Sequence, residues 1–284
     1  MTRKKRKFEW GYLLLLPGLG FVAFFLGTAL TMMVAQSFGF FNFTGESAFS
    51  TEYWVRLFTN GSLGDNLLYS LKIAVCASFI CISVVYPLSL LIKTMPGKKT
   101  WLSLWKIPMF IPALVACLLI TNVISYNGVL NIVLQVLGII REPLALKNDD
   151  WGVSALITQV WKNIPFMLLI VYSSVESVRK DVLDAGRNLG AGHFRLFWEV
   201  TLPLTLPSAL VAVIMTFVKV FNDYTISRVM GPIYPSTLSN LMHKQAYLYN
   251  DWHTAACIGC LMTVTAVVCV AAYTYIGGRL SKHL

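Results

Sequence analysis

Acidic residues are scarce in this chain, and their positions limit what it can do in a membrane. It has 13 Asp and Glu against 23 Lys and Arg, and one acid, Asp223, lies inside its long apolar runs. Machines driven by an ion gradient usually place several carboxylates or a coordinating cage at mid-membrane. This scarcity disfavours an ion-gradient-driven secondary transporter or channel, which is kept as the alternative interpretation of the sequence.

Signatures of catalysis and of nucleotide binding are also missing from the sequence. No G-x-x-x-x-G-K-[ST] pattern occurs, so the chain supplies no nucleotide site by that route, and no H-E-x-x-H occurs. The pair Cys257 and Cys260 lies in an apolar run, where packing is the simpler use. We therefore expect no catalytic residue, no metal site and no cofactor in this chain, so energy has to enter from another polypeptide.

Apolar residues dominate what is present. They make up 56% of the 284 residues, and the mean hydropathy is +0.66, which is more than one soluble core can bury. A helix needs ~20 apolar residues to cross ~30 Å of hydrocarbon. The pattern predicts an all-α polytopic membrane protein with six transmembrane helices. The predicted spans are 11–36, 67–92, 101–124, 151–174, 206–226 and 254–276.

Two features modify the third span and the segment after it. Pro108 and Pro112 lie within the span and remove backbone donors, which predicts breaks in its hydrogen-bond ladder. The apolar stretch 127–140 that follows is too short to cross the bilayer. It is therefore predicted to form an interfacial or re-entrant helix.

The basic residues predict the orientation. If the amino terminus is cytoplasmic, 15 Lys and Arg fall in the inner segments, 5 in the outer segments and 3 in the spans. By the positive-inside rule, this excess predicts that both termini are cytoplasmic. The net charge is +10, but the basic residues are scattered over short segments and no soluble domain gathers them into one surface. We therefore expect them to contact membrane lipid and not nucleic acid.

A polar segment, Asp181–Pro207, separates the fourth and fifth spans on the predicted cytoplasmic side. Its first apolar residues recur at helical spacing, which predicts a short amphipathic helix. Gly190 offers permissive backbone where that helix should end. A second short run, 193–200, then leads into Pro203. The pattern predicts a helix, a turn and a second helix at the membrane face.

This segment resembles the cytoplasmic EAA loop of the permease subunits of binding-protein-dependent ABC importers. In that family, Glu-Ala-Ala is followed after three residues by Gly, and after nine more by Ile-x-Leu-Pro. The same spacing here is occupied by Asp184, Ala185, Gly186, Gly190, Val200, Thr201, Leu202 and Pro203. Asp, Gly and Val replace Glu, the second Ala and Ile. The resemblance extends more loosely over 69–277, and it looks closest to polyamine-type permeases, with sugar permeases next.

The resemblance implies the type I ABC importer permease fold and a multi-pass location in a bacterial-type cell membrane. The expected organisation has three parts. Residues 1–66 hold a cytoplasmic tail, the first helix and an outer loop. Residues 67–277 form the permease core with a coupling loop at 175–205, and residues 278–284 form a cytoplasmic tail.

The resemblance also implies partners. These are an ABC ATPase dimer that carries ATP and Mg, a second permease subunit that is expected to be a different chain, and an extracytoplasmic solute-binding protein. By this resemblance, Asp184 makes a charged contact with the ATPase, small residues allow close approach, and Pro203 stiffens the link to the fifth span. The expected ATPase-coupling residues are Asp181, Asp184, Ala185, Gly186, Arg187, Gly190, Ala191 and Pro203.

Polar residues inside the spans are candidates for a translocation pathway. Lys162 lies at mid-depth and needs a polar partner or a water-filled cavity, so a pathway role and a structural pair both stay open. Lys219 and Asp223 are four residues apart, which on a continuous helix predicts either an internal ion pair or a cluster that faces solute or gates it. The candidate pathway residues are Lys162, Asn163, Lys219, Asn222, Asp223 and Tyr224.

The solute class is not decided by the sequence. Buried lysines would suit an anionic solute such as a phosphonate, whereas the resemblance points to polyamines or sugars. The resemblance implies that specificity for the solute comes largely from the separate solute-binding protein. All three solute classes therefore remain expectations.

Overall fold

The computed structural model describes residues 11–41, 47–59, 61–147, 149 and 151–283, and every regular element in these ranges is helical. The basic cluster 3–7 lies outside the described residues. The α-helices are α1 (Gly11–Ser37), α2 (Glu52–Thr59), α3 (Ser62–Thr94), α4 (Lys98–Trp105), α5 (Ile107–Phe110), α6 (Ala113–Ile124), α7 (Val129–Val136), α8 (Val153–Ser177), α9 (Lys180–Asn188), α10 (His193–Leu196), α11 (Leu202–Phe221), α12 (Thr225–Met230), α13 (Leu238–His243) and α14 (Trp252–His283). Two π-helical turns, Phe197–Thr201 and Lys244–Leu248, complete the regular structure of the described residues.

The prediction of six membrane-crossing helices is confirmed. Within the described residues, six helical segments are long and apolar enough to cross a bilayer. They are Pro17–Ser37, Ser62–Thr94, Ala113–Val136, Val153–Ser177, His193–Phe221 and Trp252–Arg279. The predicted all-α class is therefore correct.

The third span differs from its prediction. The segment 101–124 is broken, as its prolines predict: the chain forms α4 and α5, leaves the helix at Ile111 with an extended ψ of 125°, and starts α6 after Pro112. The two prolines cause the break, as expected, since neither can donate a helical hydrogen bond. The short helix expected within 127–140 is present as α7, and the third segment with spanning length is formed by α6 and α7 together.

The fifth span also differs at both ends, which are named inner and outer after the predicted orientation. It was predicted over 206–226, but the helical segment runs from His193 to Phe221. Its inner end is longer because α10 and a π-helical turn continue directly into α11. Its outer end is shorter because the chain leaves the helix at Asn222 and begins α12 at Thr225.

Helix α3 lies at the centre of the bundle and packs against both α8 and α11. Its outer half joins Phe217 and Phe221 in one apolar cluster, and its inner half joins Met167 and Val171 in another. Helix α1 packs against α14, and none of the side chains described in its most apolar stretch is buried. The bundle therefore holds the inner loop before α10 and the outer turns after α11 at opposite ends of the rod formed by α10 and α11.

Candidate functional site

The loop between α8 and α11 contains the predicted short helix. This helix, α9, begins at Lys180 with Asp181 in its first turn, where a carboxylate interacts favourably with the helix dipole. Arg187 lies in its last turn, where the opposite sign is favoured. The chain then turns and enters α10. The helix, turn and second helix expected from the sequence are thus confirmed as local structure.

Gly190 ends α9 through its backbone conformation. Its φ is +84°, in the left-handed region that residues with a side chain avoid, and nothing lies within 4 Å of where a Cβ would be. The N–H of Gly190 donates to the carbonyl of Arg187 at 2.9 Å, and that of Ala191 donates to the carbonyl of Gly186 at 3.0 Å. These two bonds form a Schellman motif. Gly190 is therefore required by the turn, and not by packing within this chain.

Gly186 has a different role in the same loop. A Cβ there would lie 2.5 Å from Cδ2 of Leu196, whose side chain is buried. Its backbone conformation is an ordinary helical one. The missing side chain therefore lets α9 lie close against α10, which holds the two short helices as one unit.

Within the described residues, the ion pairs of α9 are local, one inside the helix and one with the residue that precedes it. Asp184 accepts a hydrogen bond from Arg187 at 2.8 Å, and Asp181 accepts one from Arg179 at 2.6 Å. All four side chains are more than half exposed. Such exposed pairs contribute little to stability, so these charges are free to exchange their partners for those of another protein.

The apolar face of α9 points away from the bundle. Leu189 is 88% exposed and Ala185 is exposed beside it, while Phe194 of α10 is 76% exposed. Trp198, in the π-helical turn, is half-exposed and packs edge-to-face on Phe194. Several large apolar side chains exposed on one short loop suit a site of protein contact. We call these four residues the apolar face of the coupling loop.

Lysines of the neighbouring helices attach the coupling loop to the bundle. Lys93, at the end of α3, donates to the carbonyls of Val175 at 2.7 Å and Val178 at 2.9 Å. These carbonyls belong to the carboxyl end of α8, which lacks intrahelical partners and favours a cation. Lys98 forms an ion pair with Glu176 at 3.1 Å. The start of the loop is thereby fixed to α3 and α4.

Beneath α9 lies a cavity of ≈ 630 Å³, bounded by the inner end of α3 and by α10. Lys93, Asp184 and Leu196 are among its lining residues. The loop is therefore tied to the bundle at its two ends, whereas its middle has room to move toward the membrane.

Pro203 lies in a continuous helical rod. The N–H of Leu202 donates to the carbonyl of Phe197, five residues back, which is the π-helical pattern. Because Pro203 has no N–H to donate, a wider turn just before it accommodates the missing bond. The rod from His193 to Phe221 contains 29 residues, which corresponds to about 43 Å at 1.5 Å per residue. It connects the coupling loop directly to the outer end of α11.

Lys162 supports the broken third span. Its Nζ donates to the carbonyl of Pro108 at 2.7 Å, to that of Met109 at 3.3 Å, and also to that of Ile111. Since Pro112 has no N–H, the carbonyl of Pro108 four residues earlier has no helical donor. The lysine thus supplies the donors that the break in the helix removes. The polar partner expected for Lys162 is present, and it is backbone.

Asn163 follows Lys162 but is enclosed by protein. It is 1% exposed, and its Nδ2 donates to the carbonyl of Gln159 at 2.8 Å. Gln159 in turn donates to Asp223 at 3.0 Å. Asn163 therefore belongs to a hydrogen-bonded chain that runs from within α8 to the outer end of α11.

The predicted stacking of Lys219 and Asp223 on one helix is wrong, because α11 ends at Phe221. Asp223 instead uses Oδ1 to accept from the N–H of Ile226 at 2.8 Å, which caps α12, and from Gln159. No ion pair links Lys219 to Asp223 within the part of the chain that the structure describes. The internal ion pair considered from the sequence is therefore excluded, and Asp223 holds the junction of α8, α11 and α12.

Lys219 and Asn222 lie on an exposed side of α11. Nζ of Lys219 lies 5.4 Å from the ring centre of Phe166, and Asn222 donates to the carbonyl of Val218. Met215 and Val211, one and two turns below Lys219, are also about half-exposed. A cation on the surface of a membrane helix faces water or another protein, so this stripe is the part of the candidate pathway that is open in this chain.

Tyr224 packs on residues of the turns that follow. Its ring stacks on His243 with centres 4.2 Å apart, and its hydroxyl lies 3.2 Å from Nδ1 of that histidine. Its hydroxyl and ring therefore belong to the outer end of the molecule. The six candidate pathway residues thus do not form one cluster.

Sequence reasoning missed three features of this site. From the sequence, Lys93 and Lys98 contribute only to the positive charge of the inner segments, and their contacts with the loop are not predicted. The sequence also does not predict that Leu189, Phe194 and Trp198 are exposed. A lysine at the end of a helix is one available signal for a cap on neighbouring carbonyls. The aromatic residues in the short run before Pro203 are a signal for contact, but exposure depends on how α10 packs.

Comparison with known proteins shows which family has this architecture. Residues 96–282 match the family model described as "Binding-protein-dependent transport system inner membrane component". The chain is 27% identical over 220 residues to the spermidine/putrescine transport system permease protein PotB of Escherichia coli (strain K12), covering 77% of this chain and 79% of that protein. It is 25% identical over 278 residues to the probable ABC transporter permease protein YurN of Bacillus subtilis (strain 168), covering 92% of each.

The fold is shared with a solved structure. A chain of the bacterial alginate ABC transporter, in complex with an alginate pentasaccharide-bound periplasmic protein, superposes with a TM-score of 0.79 at 16% identity, covering 96% of this chain and 98% of that chain. The family model covers well over half of the chain, including the coupling loop and the last four candidate spans. This chain therefore belongs to the family of inner membrane components of binding-protein-dependent transport systems, and it is a permease subunit of the ABC importer type.

Proposed function

We propose that this permease moves a small solute into the cytoplasm when a separate ATPase acts on its coupling loop. The observation that carries the proposal is the combination of an exposed apolar face on α9 and α10 with a continuous rod from α10 to the outer end of α11. The first feature offers a contact surface, and the second transmits its movement.

The ATPase would be a dimer that carries ATP and Mg, because this sequence has no phosphate-binding G-x-x-x-x-G-K-[ST] pattern. Within the described residues, no group of three or more His, Cys, Asp or Glu could hold a metal ion. The coupling loop has to face this ATPase, so we place it and both termini in the cytoplasm, in agreement with the positive-inside distribution.

Two further partners complete the proposed machine. A second permease, which we take to be a different chain, would pack beside this one, and a solute-binding protein would deliver the solute at the outer side. Exposed apolar residues on α11 provide a surface for the second permease. The alginate transporter was solved with its periplasmic protein, which supports this kind of partner.

The mechanism follows from the coupling loop. ATP binding closes the ATPase dimer and brings its two bound coupling loops together. Here Asp184 exchanges Arg187 for a charged group of the ATPase, and Leu189 inserts its apolar side chain. The rod then tilts about the bundle and opens the path outward, and hydrolysis returns it. Ala185 and Ala191 keep the contact surface small, Gly186 keeps α9 close against α10, and Pro203 stiffens the link between the loop and the rod.

The solute class proposed from the relatives covers polyamines and sugars. PotB is named for spermidine and putrescine, and the shared fold is that of an alginate importer. A phosphonate-like anion is the third class, because Lys162 and Lys219 place positive charge in the spans. Lys219 and Asn222, on the exposed side of α11, are the residues that we place along the pathway.

The experiment that tests the coupling role is Gly190→Val. A β-branched residue at φ +84° is strained by about 1–2 kcal/mol, and relieving that strain disrupts the end of α9. We expect ATP-driven uptake in whole cells to fall by tenfold or more, whereas the amount of inserted protein, measured by immunoblot of membranes, stays unchanged.

Two glycines serve as matched controls. Gly192, in the same loop, has a φ of −70° and open space around it, so Gly192→Val should retain most of the uptake. Gly97, in another loop, has a φ of +71° and equally open space, so Gly97→Val tests backbone strain away from the coupling loop. Full uptake by Gly190→Val, or uptake without any ATPase, would contradict the proposed function.

A further inference from the structure

Beyond the coupling loop and α11, two cations lie together at the outer end of the molecule. Arg228 of α12 and Lys244 of the second π-helical turn both line a pocket of ≈ 190 Å³. Tyr224, His243 and Tyr247 form its aromatic wall. The pocket begins at Tyr224, directly after Asp223, so it is continuous with the outer end of the rod.

Neither cation is neutralised within the described residues. No carboxylate lies within ion-pairing distance of Arg228 or Lys244 in this part of the chain. Nζ of Lys244 has one weak contact, with the carbonyl of Ile233 at 3.5 Å. The nearest acids along the chain have other partners: Asp223, near Arg228, accepts from the N-terminus of α12 and from Gln159, and Asp251, near Lys244, accepts from Thr254. Two like charges that share a pocket repel each other, so an anion between them is favourable.

The pKa of Lys244 agrees with this repulsion. Burial, and then the positive charge of Arg228, lower the pKa of the Lys244 ammonium below its usual value. An anion bound in the pocket would reverse the second effect. Guanidinium and ammonium groups together suit a sulfonate or a phosphonate, since the guanidinium binds two oxygens and the ammonium binds a third. They also suit a carboxylate, whose two oxygens can be shared between them.

The aromatic wall is a series of ring contacts that ends at Tyr247, which is 67% exposed. Tyr224 stacks on His243, and His243 contacts Tyr247 with ring centres 4.6 Å apart. Trp252, at the start of α14, meets Tyr247 edge-on at 5.2 Å. Rings packed in series have little freedom to collapse into the pocket, so the space between the two cations is preformed.

We propose that the pocket between Arg228 and Lys244 is an outer binding site for the anionic group of the transported solute. This deepens the proposed function and rests on it in one respect, which is that the outer ends of α11 and α14 face the incoming solute. A polyamine is the solute class that this site excludes, because each of its ammonium groups would meet two positive charges. The site therefore selects among the three solute classes in favour of an acidic one.

The test measures the reactivity of the Lys244 amine. The complete transporter in lipid nanodiscs is acetylated with an N-hydroxysuccinimide ester at pH 8, and the rate at each lysine is followed by peptide mass spectrometry. Each rate is divided by the rate at Lys147 in the same sample, so that ester consumed by the amines of spermidine cancels. Glucuronate, methylphosphonate and methanesulfonate are the anionic probes, glucose is the neutral probe and spermidine is the cationic probe. At least one anion, at ten times its dissociation constant, should slow acetylation of Lys244 about tenfold, while glucose and spermidine have no effect.

Two comparisons give the test its specificity. Arg228→Gln should abolish the protection by the anion, because half of the site is lost. Lys147 is exposed and distant along the chain, so it serves as the internal reference for the amount of ester that remains with each probe. The proposal is overturned if no anion protects Lys244 at about 50 mM, where a dissociation constant of about 1 mM would give nearly full occupancy, or if spermidine protects it equally. It is also overturned if only the solute-binding protein protects it, which would make the pocket a docking surface.

The two proposals fail separately. Gly190→Val should lose uptake but keep the protection of Lys244 by an anion, because the coupling loop and the pocket lie at opposite ends of the rod. Loss of both in that variant would show that the pocket depends on the coupling loop, which contradicts the preformed site. Uptake that needs no ATPase would overturn the proposed function and leave the result at Lys244 unaffected.

Discussion

The coupling loop and the broken third span use charged residues in opposite ways. In the coupling loop, Asp184 and Arg187 pair with each other at the surface, and the apolar side chain of Leu189 is exposed beside them. At the break in the third span, Lys162 turns inward and bonds to backbone carbonyls. Charged side chains at the exposed loop can therefore exchange partners at little cost in free energy, whereas a charged side chain within a span is held by the backbone groups that it satisfies.

The comparison teaches that a charged residue in a span is not by itself evidence of a pathway. Lys162 has three backbone partners, whereas Lys219, in the neighbouring helix, has an aromatic ring and an exposed position. Their sequence environments are alike, but their surroundings differ. The following predictions test this contrast, and they run from the largest expected effect to the smallest.

The largest effect is expected for Lys162→Met. The carbonyls of Pro108, Met109 and Ile111 would lose their donor, and an acceptor left without a partner away from water costs about 1–3 kcal/mol. We expect the free energy of unfolding in mixed micelles to fall by about 3 kcal/mol or more. Lys219→Met is the control, and it should lower uptake without lowering stability. Equal destabilisation by both variants would remove the distinction between the two lysines.

A smaller effect, on binding rather than on stability, is expected for Leu189→Ser. Because Leu189 is 88% exposed, its replacement should leave the stability of the isolated permease unchanged. Burying a leucine side chain at an interface contributes about 1.5–3 kcal/mol, so affinity for the ATPase should fall tenfold or more. Co-purification and titration of the ATPase measure this. Leu248→Ser is the matched control, because Leu248 is similarly exposed but lies at the outer end. Unchanged affinity in Leu189→Ser would show that the apolar face is not the contact.

The smallest effect is expected for Arg187→Gln. Its ion pair with Asp184 is more than half exposed on both sides, and such pairs contribute at most about 0.5 kcal/mol. The thermal unfolding of the permease should therefore be indistinguishable from that of the wild type. A clear loss of stability would show that the charged residues of α9 stabilise the fold, as Lys162 does. The contrast between the coupling loop and the third span would then be wrong.

Local sequence signals predicted local structure well. Gly190 and the amphipathic spacing before it indicated the end of α9, and the Schellman bonds at that glycine agree. Pro108 and Pro112 indicated a break in the third span, and Ile111 is where it occurs. These succeeded because a missing side chain and a missing N–H act on the backbone within a turn, whatever surrounds it.

Predictions that required knowledge of distant neighbours were less successful. Lys219 and Asp223 were placed on one helical face, but the N–H of Ile226 and the amide of Gln159 compete for the carboxylate. The partner of Lys162 lies 51 to 54 residues away in sequence. No periodicity in the sequence reports such contacts.

The sequence by itself determined the class of this protein. Six apolar runs of spanning length, one inner polar segment with a fixed spacing of small residues, and the absence of a nucleotide-binding pattern are all properties of the chain read in order. The tertiary structure decided how each charge is used: Lys162 supports a broken helix, Asp223 caps a short one, and Arg228 and Lys244 share a pocket without an acid. The reason is that the energy of a charge depends on the groups within a few ångströms of it, and in a helix bundle most of those groups come from other helices.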